Sequence, residues 1–159
     1  MVSSAARSRV SLAAQALALR SAFPASRPSI VRSRLQWIYT VQPAAASCTY
    51  RIRLEARPYE QAQIFVTEPA LEPDNEGLLP HVYENGALCL NRSAEWKPSQ
   101  LFIDTSIPWA LEWLYFYELW LADRIWRGDG LDPVDHQGQR SLLHKYAPPE
   151  PPISRRVRR

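Results

Sequence analysis

Three short runs rich in β-branched and aromatic residues follow one another between residues 35 and 67, and they restrict the chain to folds with an antiparallel sheet. The middle run, residues 50–56, alternates apolar residues with charged ones, which is typical of a strand with one buried face. The runs 35–41 and 63–67 flank it, and only short links with turn-forming residues separate the three. We therefore predict a β-meander of three or four strands.

The residues before the meander predict a helix over residues 7–20. Four apolar residues recur there at helical spacing, namely Val10, Ala13, Ala14 and Leu17. No acidic residue occurs between Met1 and Ile52, and that composition is also similar to a mitochondrial transit peptide. We favour a folded helix, because the rest of the chain looks incomplete without it.

A second, strongly aromatic helix is predicted to begin near Thr105 and Ser106, which are N-cap candidates, and to end near Trp126. One face carries Trp109, Trp113, Phe116 and Trp120. A helix that is apolar nearly all round is buried on two sides or contacts a partner. Two interpretations stay open: the residues from Tyr115 to Trp126 form a partner-docking face, or the segment 128–146 folds back and covers them.

The composition narrows the class of protein. A chain of 159 residues favours one domain, and a net charge of only +3, with the extra arginines mainly at the two ends, argues against a nucleic-acid groove. The two cysteines provide neither a disulfide framework nor a Cys-x-x-Cys zinc pair, so we predict no metal site and favour a reducing compartment, the cytoplasm. The most apolar run, 107–121, contains Glu112 and Glu118, which argues against a membrane span.

The segment between the meander and the aromatic helix carries the candidate site. Residues 70–98 contain several prolines and glycines and almost no periodicity, and a long ordered loop in a compact domain is usually functional. Within it, Asn85 and Gly86 form a strong turn dipeptide, and a short extended piece, 87–90, follows. That piece contains Cys89, which is either a small buried hydrophobic residue or a nucleophile held on a shaped loop.

The order of these elements and the loop motif resemble the ubiquitin-conjugating enzyme fold, which is an α+β fold. Residues 79–90, LPHVYENGALCL, reproduce the family's spacing from a proline through an aromatic residue and a glycine turn to a Cys-Leu pair. Trp96 and Pro98 match the family's Trp-x-Pro after the cysteine. The resemblance covers roughly residues 8–126, is specific at the loop and is only architectural elsewhere.

The sequence departs from the family at two loop positions, where Leu79 replaces the histidine and His81 replaces the asparagine. These departures and the aromatic helix resemble the stand-alone bacterial branch found in CBASS antiphage operons. This resemblance implies a role in conjugation that involves the C-terminus of a cyclic-oligonucleotide synthase, which is a nucleotidyltransferase. It implies that no separate activating enzyme takes part. It implies a protein partner and no cofactor.

The resemblance also assigns roles to residues of the loop. Cys89 would carry an acyl group as a thioester, whereas Cys48 is interpreted as structural. His81 would donate to the tetrahedral intermediate or brace the loop, which we favour over a base for Cys89. Asp104 and Glu95 are candidates for orienting or deprotonating an incoming lysine, although Asp104 could simply cap the aromatic helix. Residues predicted to support the loop are Pro80, Tyr83, Asn85, Gly86, Trp96 and Asp104.

These assignments divide the chain after residue 127. Residues 1–127 form the ubiquitin-conjugating-like domain with its N-terminal helix, and residues 128–159 form a C-terminal extension with a proline-rich and arginine-rich tail. The predicted function is a thioester-dependent acyl transferase. The alternative is an inert variant of the fold that only binds a partner, which the lost asparagine favours. A hydrolase using Cys89 and His81 is a weaker third option, because no recognised family signature accompanies it.

Overall fold

A computed structural model describes residues 8–90 and 95–128, which form a helix, a four-stranded antiparallel sheet and a second helix in chain order. The elements are α1 (Leu12–Ala22), β1 (Ser29–Val31), β2 (Arg34–Val41), β3 (Tyr50–Ala56), β4 (Gln63–Glu68), a 3-10 helix (Phe102–Asp104) and α2 (Ser106–Asp123). This α+β architecture agrees with the one predicted. No helix in these two ranges is long and apolar enough to cross a membrane.

The sheet is a meander, because its strands are ordered β1-β2-β3-β4 and every neighbouring pair is antiparallel. The three predicted strands are confirmed within one residue at each end. Strand β1 was not predicted individually, because its three residues are all exposed and lack the alternation of a half-buried strand. In the central strand, Ile52 and Leu54 are fully buried while Arg51 is exposed, which confirms the predicted alternation.

Helix α1 is present, but it begins at Leu12 rather than at residue 7, which lies outside the described residues. Ser11 is its N-cap residue, and the Ser11 side-chain oxygen accepts a hydrogen bond from the N–H of Ala14 at 3.2 Å. This bond satisfies one of the N–H groups that the first turn of a helix leaves without a partner. The helix ends at Ala22, before Pro24.

The apolar residues whose spacing predicted α1 do not form its buried face. The buried residues are Leu12, Gln15 and Leu19, and Leu17 is 67% exposed. The difference arises at Gln15, whose side-chain amide donates to the Gln100 carbonyl (2.8 Å) and accepts the Phe102 N–H (2.9 Å). A buried amide with both partners is tolerated in a core, so a polar residue occupies a position that periodicity reserves for an apolar one.

Helix α2 begins where predicted but ends earlier, at Asp123 rather than near Trp126. Arg124 adopts the left-handed conformation (φ 62°), which stops the helix without a glycine. Trp126 therefore lies beyond the helix, and its ring packs back against Trp113 with 5.5 Å between centroids. The Thr105 hydroxyl donates to the Leu101 carbonyl (2.8 Å) and does not cap α2.

Much of the surface of α2 is buried within the described chain. Tyr117 is 3% exposed, lies between the rings of Trp113 and Trp120, and accepts the Glu72 N–H at 2.7 Å. The interpretation of this part of α2 as a docking face is therefore wrong at Tyr117. Two predicted segments lie outside the described residues from residue 129 onward. They are the segment 128–146, which was predicted to cover α2, and the C-terminal extension 128–159.

Candidate active site

The candidate site is a hairpin that begins at His81 and returns at Cys89. Val82 and Leu88 form an antiparallel bridge between its two arms. On either side of this bridge, the Tyr83 N–H donates to the Ala87 carbonyl (2.8 Å) and the Cys89 N–H donates to the His81 carbonyl (2.9 Å). The backbone at the cysteine is therefore fixed by the opposite arm.

Asn85 and Gly86 form the turn of the hairpin, as predicted. Gly86 has φ +86°, a conformation that glycine adopts without steric cost, and its N–H donates to the Tyr83 carbonyl at 2.9 Å. The Asn85 side-chain oxygen accepts the Ala87 N–H at 3.0 Å, which is the bond of an Asx turn. These bonds support the interpretation of both residues as turn formers.

Two further bonds fasten this hairpin to the rest of the fold. The Leu88 N–H donates to the Ile64 carbonyl of β4 at 2.8 Å, and the indole N–H of Trp113 on α2 donates to the His81 carbonyl at 3.0 Å. Pro80, next to that carbonyl, is fully buried. Cys89 is thus held between the edge of the sheet and α2.

His81 lies inside the protein rather than in an open cleft. It is 1% exposed, and its imidazole stacks on Trp126 with 4.9 Å between ring centroids. Its φ of +50° is uncommon for a residue other than glycine, and its carbonyl accepts both the Cys89 N–H and the Trp113 indole N–H. These contacts favour the bracing role among those that the sequence left open for this histidine.

Cys89 is half-buried, and Tyr83 is its partner on the surface of the hairpin. The pKa of Tyr83 is raised to about 12, first by burial and then by hydrogen-bond and charge interactions with Cys89. Tyr83 therefore keeps its proton at neutral pH. Sequence reasoning placed this tyrosine among the loop supports, whereas the structure shows that it interacts with Cys89.

The remaining predicted site residues lie farther along the chain. Trp96 is half-buried and stacks on Phe102 with 6.1 Å between centroids, in agreement with a packing role. Asp104 is exposed in the 3-10 helix and does not cap α2, and Glu95 is also exposed. Residues 91–94, which connect the hairpin to Trp96, lie outside the described residues.

The second cysteine belongs to a separate cluster. The backbone N–H of Cys48 and the hydroxyl of Tyr50 both donate to Oε1 of Glu118 on α2, at 2.8 and 3.1 Å. Burial raises the pKa of Tyr50, and the nearby Glu118 carboxylate raises it further, so this hydroxyl remains a donor. These contacts agree with a structural role for this part of the chain. Among the described residues, no group of His, Cys, Asp and Glu side chains could hold a metal ion.

Sequence reasoning missed two aromatic residues that hold the site. Trp113 and Trp126 were assigned to the core or to a docking face, yet one bonds the His81 carbonyl and the other stacks on the His81 ring. The only sequence signal was the aromatic richness of the helix. That signal predicts burial but does not predict which loop the aromatic rings will contact.

A match to a known protein family covers most of the chain. The family described as Type II CBASS E2 protein matches residues 15–133, about three quarters of the sequence. The match begins within α1 and includes the meander, the Cys89 hairpin and α2. No curated protein matches the chain. The chain therefore belongs to the family of type II CBASS E2 proteins, and it is a stand-alone bacterial E2-like protein of CBASS.

Proposed function

We propose that the protein carries an acyl group as a thioester on Cys89 and passes it to an amine. The Cys89 thiolate attacks the carbonyl carbon of an activated donor, an acyl adenylate or a thioester. A carbon–sulfur bond forms, and the bond to the leaving group, AMP or a thiol, breaks. An amine then attacks the same carbon, the carbon–sulfur bond breaks and the electron pair returns to sulfur. A thiolate suits both steps, because it is strongly nucleophilic and is a good leaving group.

The position of Cys89 is the observation that carries this proposal. Its thiol is half-buried on a hairpin whose backbone is fixed by the His81 carbonyl, by β4 and by the Trp113 indole. A nucleophile held on a braced turn loses little freedom when an acyl donor binds, which lowers the entropic part of the barrier.

Family membership supports a protein partner from the same operon. A type II CBASS E2 protein works with other products of its CBASS operon. We infer that the acyl donor is the C-terminus of the cyclic-oligonucleotide synthase of that operon, and that conjugation of this synthase serves antiphage defence. The thioester intermediate makes an isopeptide or amide bond the expected product.

The burial of His81 favours one alternative, an inert protein that only binds its partner. The imidazole stacks on Trp126 and is 1% exposed, so it does not present an open donor for an oxyanion. The Cys89 N–H is occupied as well, because it donates to the His81 carbonyl. Oxyanion support in the enzyme would then have to come from the partner or from a rearrangement on binding.

Co-expression with the synthase, followed by a non-reducing gel, tests both functions. The enzyme is expected to form an adduct with the synthase that disappears with dithiothreitol and is absent in Cys89→Ala. Cys48→Ala is the matched control and keeps the adduct, because that cysteine belongs to the separate Glu118 cluster. Cys89→Ser is expected to form an oxyester that resists dithiothreitol. A complex without any covalent adduct would instead support the binding protein.

A further inference from the structure

Tyr83 and Cys89 lie diagonally across the hairpin. The Val82–Leu88 bridge places Tyr83 opposite Ala87, and Cys89 follows Ala87 by two positions on the same arm. Side chains two positions apart project from the same face of a strand. Diagonal neighbours across an antiparallel pair are about 7–8 Å apart at their backbones, which an aromatic side chain can span. The backbone thus places Tyr83 and Cys89 on the same face of the hairpin, within reach of each other.

The Tyr83 side chain is able to donate to that sulfur. Burial is the first cause that raises the pKa of Tyr83, to about 12, and its hydrogen-bond and charge interactions with Cys89 are the next. A phenol that keeps its proton is a donor, whereas a thiolate is only an acceptor. The bond therefore becomes stronger when Cys89 loses its proton, because the acceptor is then charged.

We propose that Tyr83 donates its O–H to the sulfur of Cys89 and stabilises the thiolate, both before acyl transfer and when the sulfur leaves the thioester. The role of Tyr83 at the leaving sulfur rests on the proposed function, whereas its role at the free thiolate is independent of it. Tyr83 keeps its proton throughout. The proton of the attacking amine goes to solvent, and the electron pair of the broken carbon–sulfur bond stays on Cys89.

The pH dependence of Cys89 alkylation in the full-length protein tests this role. Iodoacetamide reacts with the thiolate, so its rate follows the ionised fraction. Without the donor, Tyr83→Phe is expected to react about three- to tenfold more slowly at pH 7, because a hydrogen bond to a charged group favours the ionised form by about that factor. The lower part of this range is expected, since Tyr83 is 43% exposed and water competes for the sulfur.

The shape of the pH–rate profile distinguishes a hydrogen-bond donor from a side chain that only packs against Cys89. At a pH where both thiols are ionised, Tyr83→Phe should react as fast as the wild type or slightly faster, because a more basic thiolate is the better nucleophile. Tyr59→Phe is the matched control, since Tyr59 is 46% exposed and outside the hairpin. Peptide mass spectrometry follows Cys48 in the same sample as an internal reference.

Two outcomes would overturn the proposal. One is an alkylation rate of Tyr83→Phe equal to that of the wild type at every pH, and the other is a rate altered by the same factor at every pH. The synthase adduct reports separately on the proposed function. If the wild type forms no adduct but the pH profile moves, the transferase fails and the Tyr83–Cys89 bond stands. If the adduct forms and the profile does not move, the role of Tyr83 fails alone.

Discussion

At the level of single residues, the Cys89 hairpin depends on a glycine in the left-handed region. Gly86 has φ +86° and has open space around the position of a Cβ atom, so a substitution there meets conformational strain and no collision. Left-handed backbone costs a residue other than glycine roughly 1–2 kcal/mol. Gly86→Ala should therefore lower the free energy of unfolding by about 1 kcal/mol and loosen the turn in front of the cysteine.

Gly77 provides a matched control for this prediction. It has φ +80°, it also has open space around it, and it lies before the hairpin. Gly77→Ala should lower the melting temperature about as much as Gly86→Ala does. Only Gly86→Ala should change the rate of Cys89 alkylation. Equal effects of the two variants on that rate would argue that the turn does not position the sulfur.

At the level of elements, α1 is joined to the segment before α2 through a buried polar side chain. The amide of Gln15 donates to the Gln100 carbonyl and accepts the Phe102 N–H. Gln15→Ala leaves both backbone groups without these partners, so we expect a loss of about 2–3 kcal/mol in the free energy of unfolding, measured in urea. Leu17→Ala should change it by less than about 0.5 kcal/mol, because Leu17 is 67% exposed.

The reverse ranking, with Leu17→Ala the more damaging change, would mean that the apolar pattern rather than the Gln15 bonds orients α1. Hydrogen exchange at the Phe102 amide gives a second readout. This amide should lose protection in Gln15→Ala, since it donates to the Gln15 side chain. In Leu17→Ala its protection should be unchanged.

Helix α2 holds the hairpin through Trp113. The Trp113 indole N–H donates to the His81 carbonyl, and its ring packs between Tyr117 and Trp126. Trp113→Phe keeps an aromatic ring but removes the donor and part of the volume. We expect it to cost about 2–3 kcal/mol of stability and to raise hydrogen exchange at the Cys89 amide. Trp109→Phe serves as the control, since Trp109 is only half-buried on the same helix. If hydrogen exchange at the Cys89 amide is unchanged in Trp113→Phe, α2 does not hold the hairpin through Trp113.

At the level of the whole molecule, the parts predicted from sequence are those set by local patterns. The strands of the meander follow from alternation, and the hairpin turn follows from Asn85 and Gly86. The Gln15 bonds and the His81–Trp126 stack join residues that are distant in sequence, so no local pattern encodes them. Tyr83 was predicted only as a loop support, because the turn dipeptide predicts the hairpin but not which side chains interact across it.

A half-buried glutamate joins α2 to the start of β3 and gives a further prediction. Glu118 accepts the Cys48 N–H and the Tyr50 hydroxyl on the same oxygen. Glu118→Ala leaves both donors unbonded and should cost about 2–4 kcal/mol. Glu118→Gln keeps an acceptor oxygen and should cost less than half as much. If the two variants are equally unstable in urea, the negative charge of this residue, rather than the two hydrogen bonds, sustains the contact.

Substitutions at Tyr117 test whether α2 belongs to the core of the whole fold. This side chain is 3% exposed between Trp113 and Trp120, and its oxygen accepts the Glu72 N–H. Tyr117→Glu would place a charge among aromatic rings, so the isolated protein should lose at least about 3 kcal/mol of stability. Tyr117→Phe removes only the acceptor and should lose about 1 kcal/mol.

Glu112→Lys reverses the charge of an exposed α2 residue and is the control, with an expected change within about 0.5 kcal/mol. Urea unfolding of the three variants, each without partner, measures these differences. A Tyr117→Glu variant with the melting temperature of the wild type would show that α2 opens this position to solvent and would restore it as a docking surface. The expected collapse instead assigns the aromatic helix to the core, where the Trp113 indole holds the Cys89 hairpin through the His81 carbonyl.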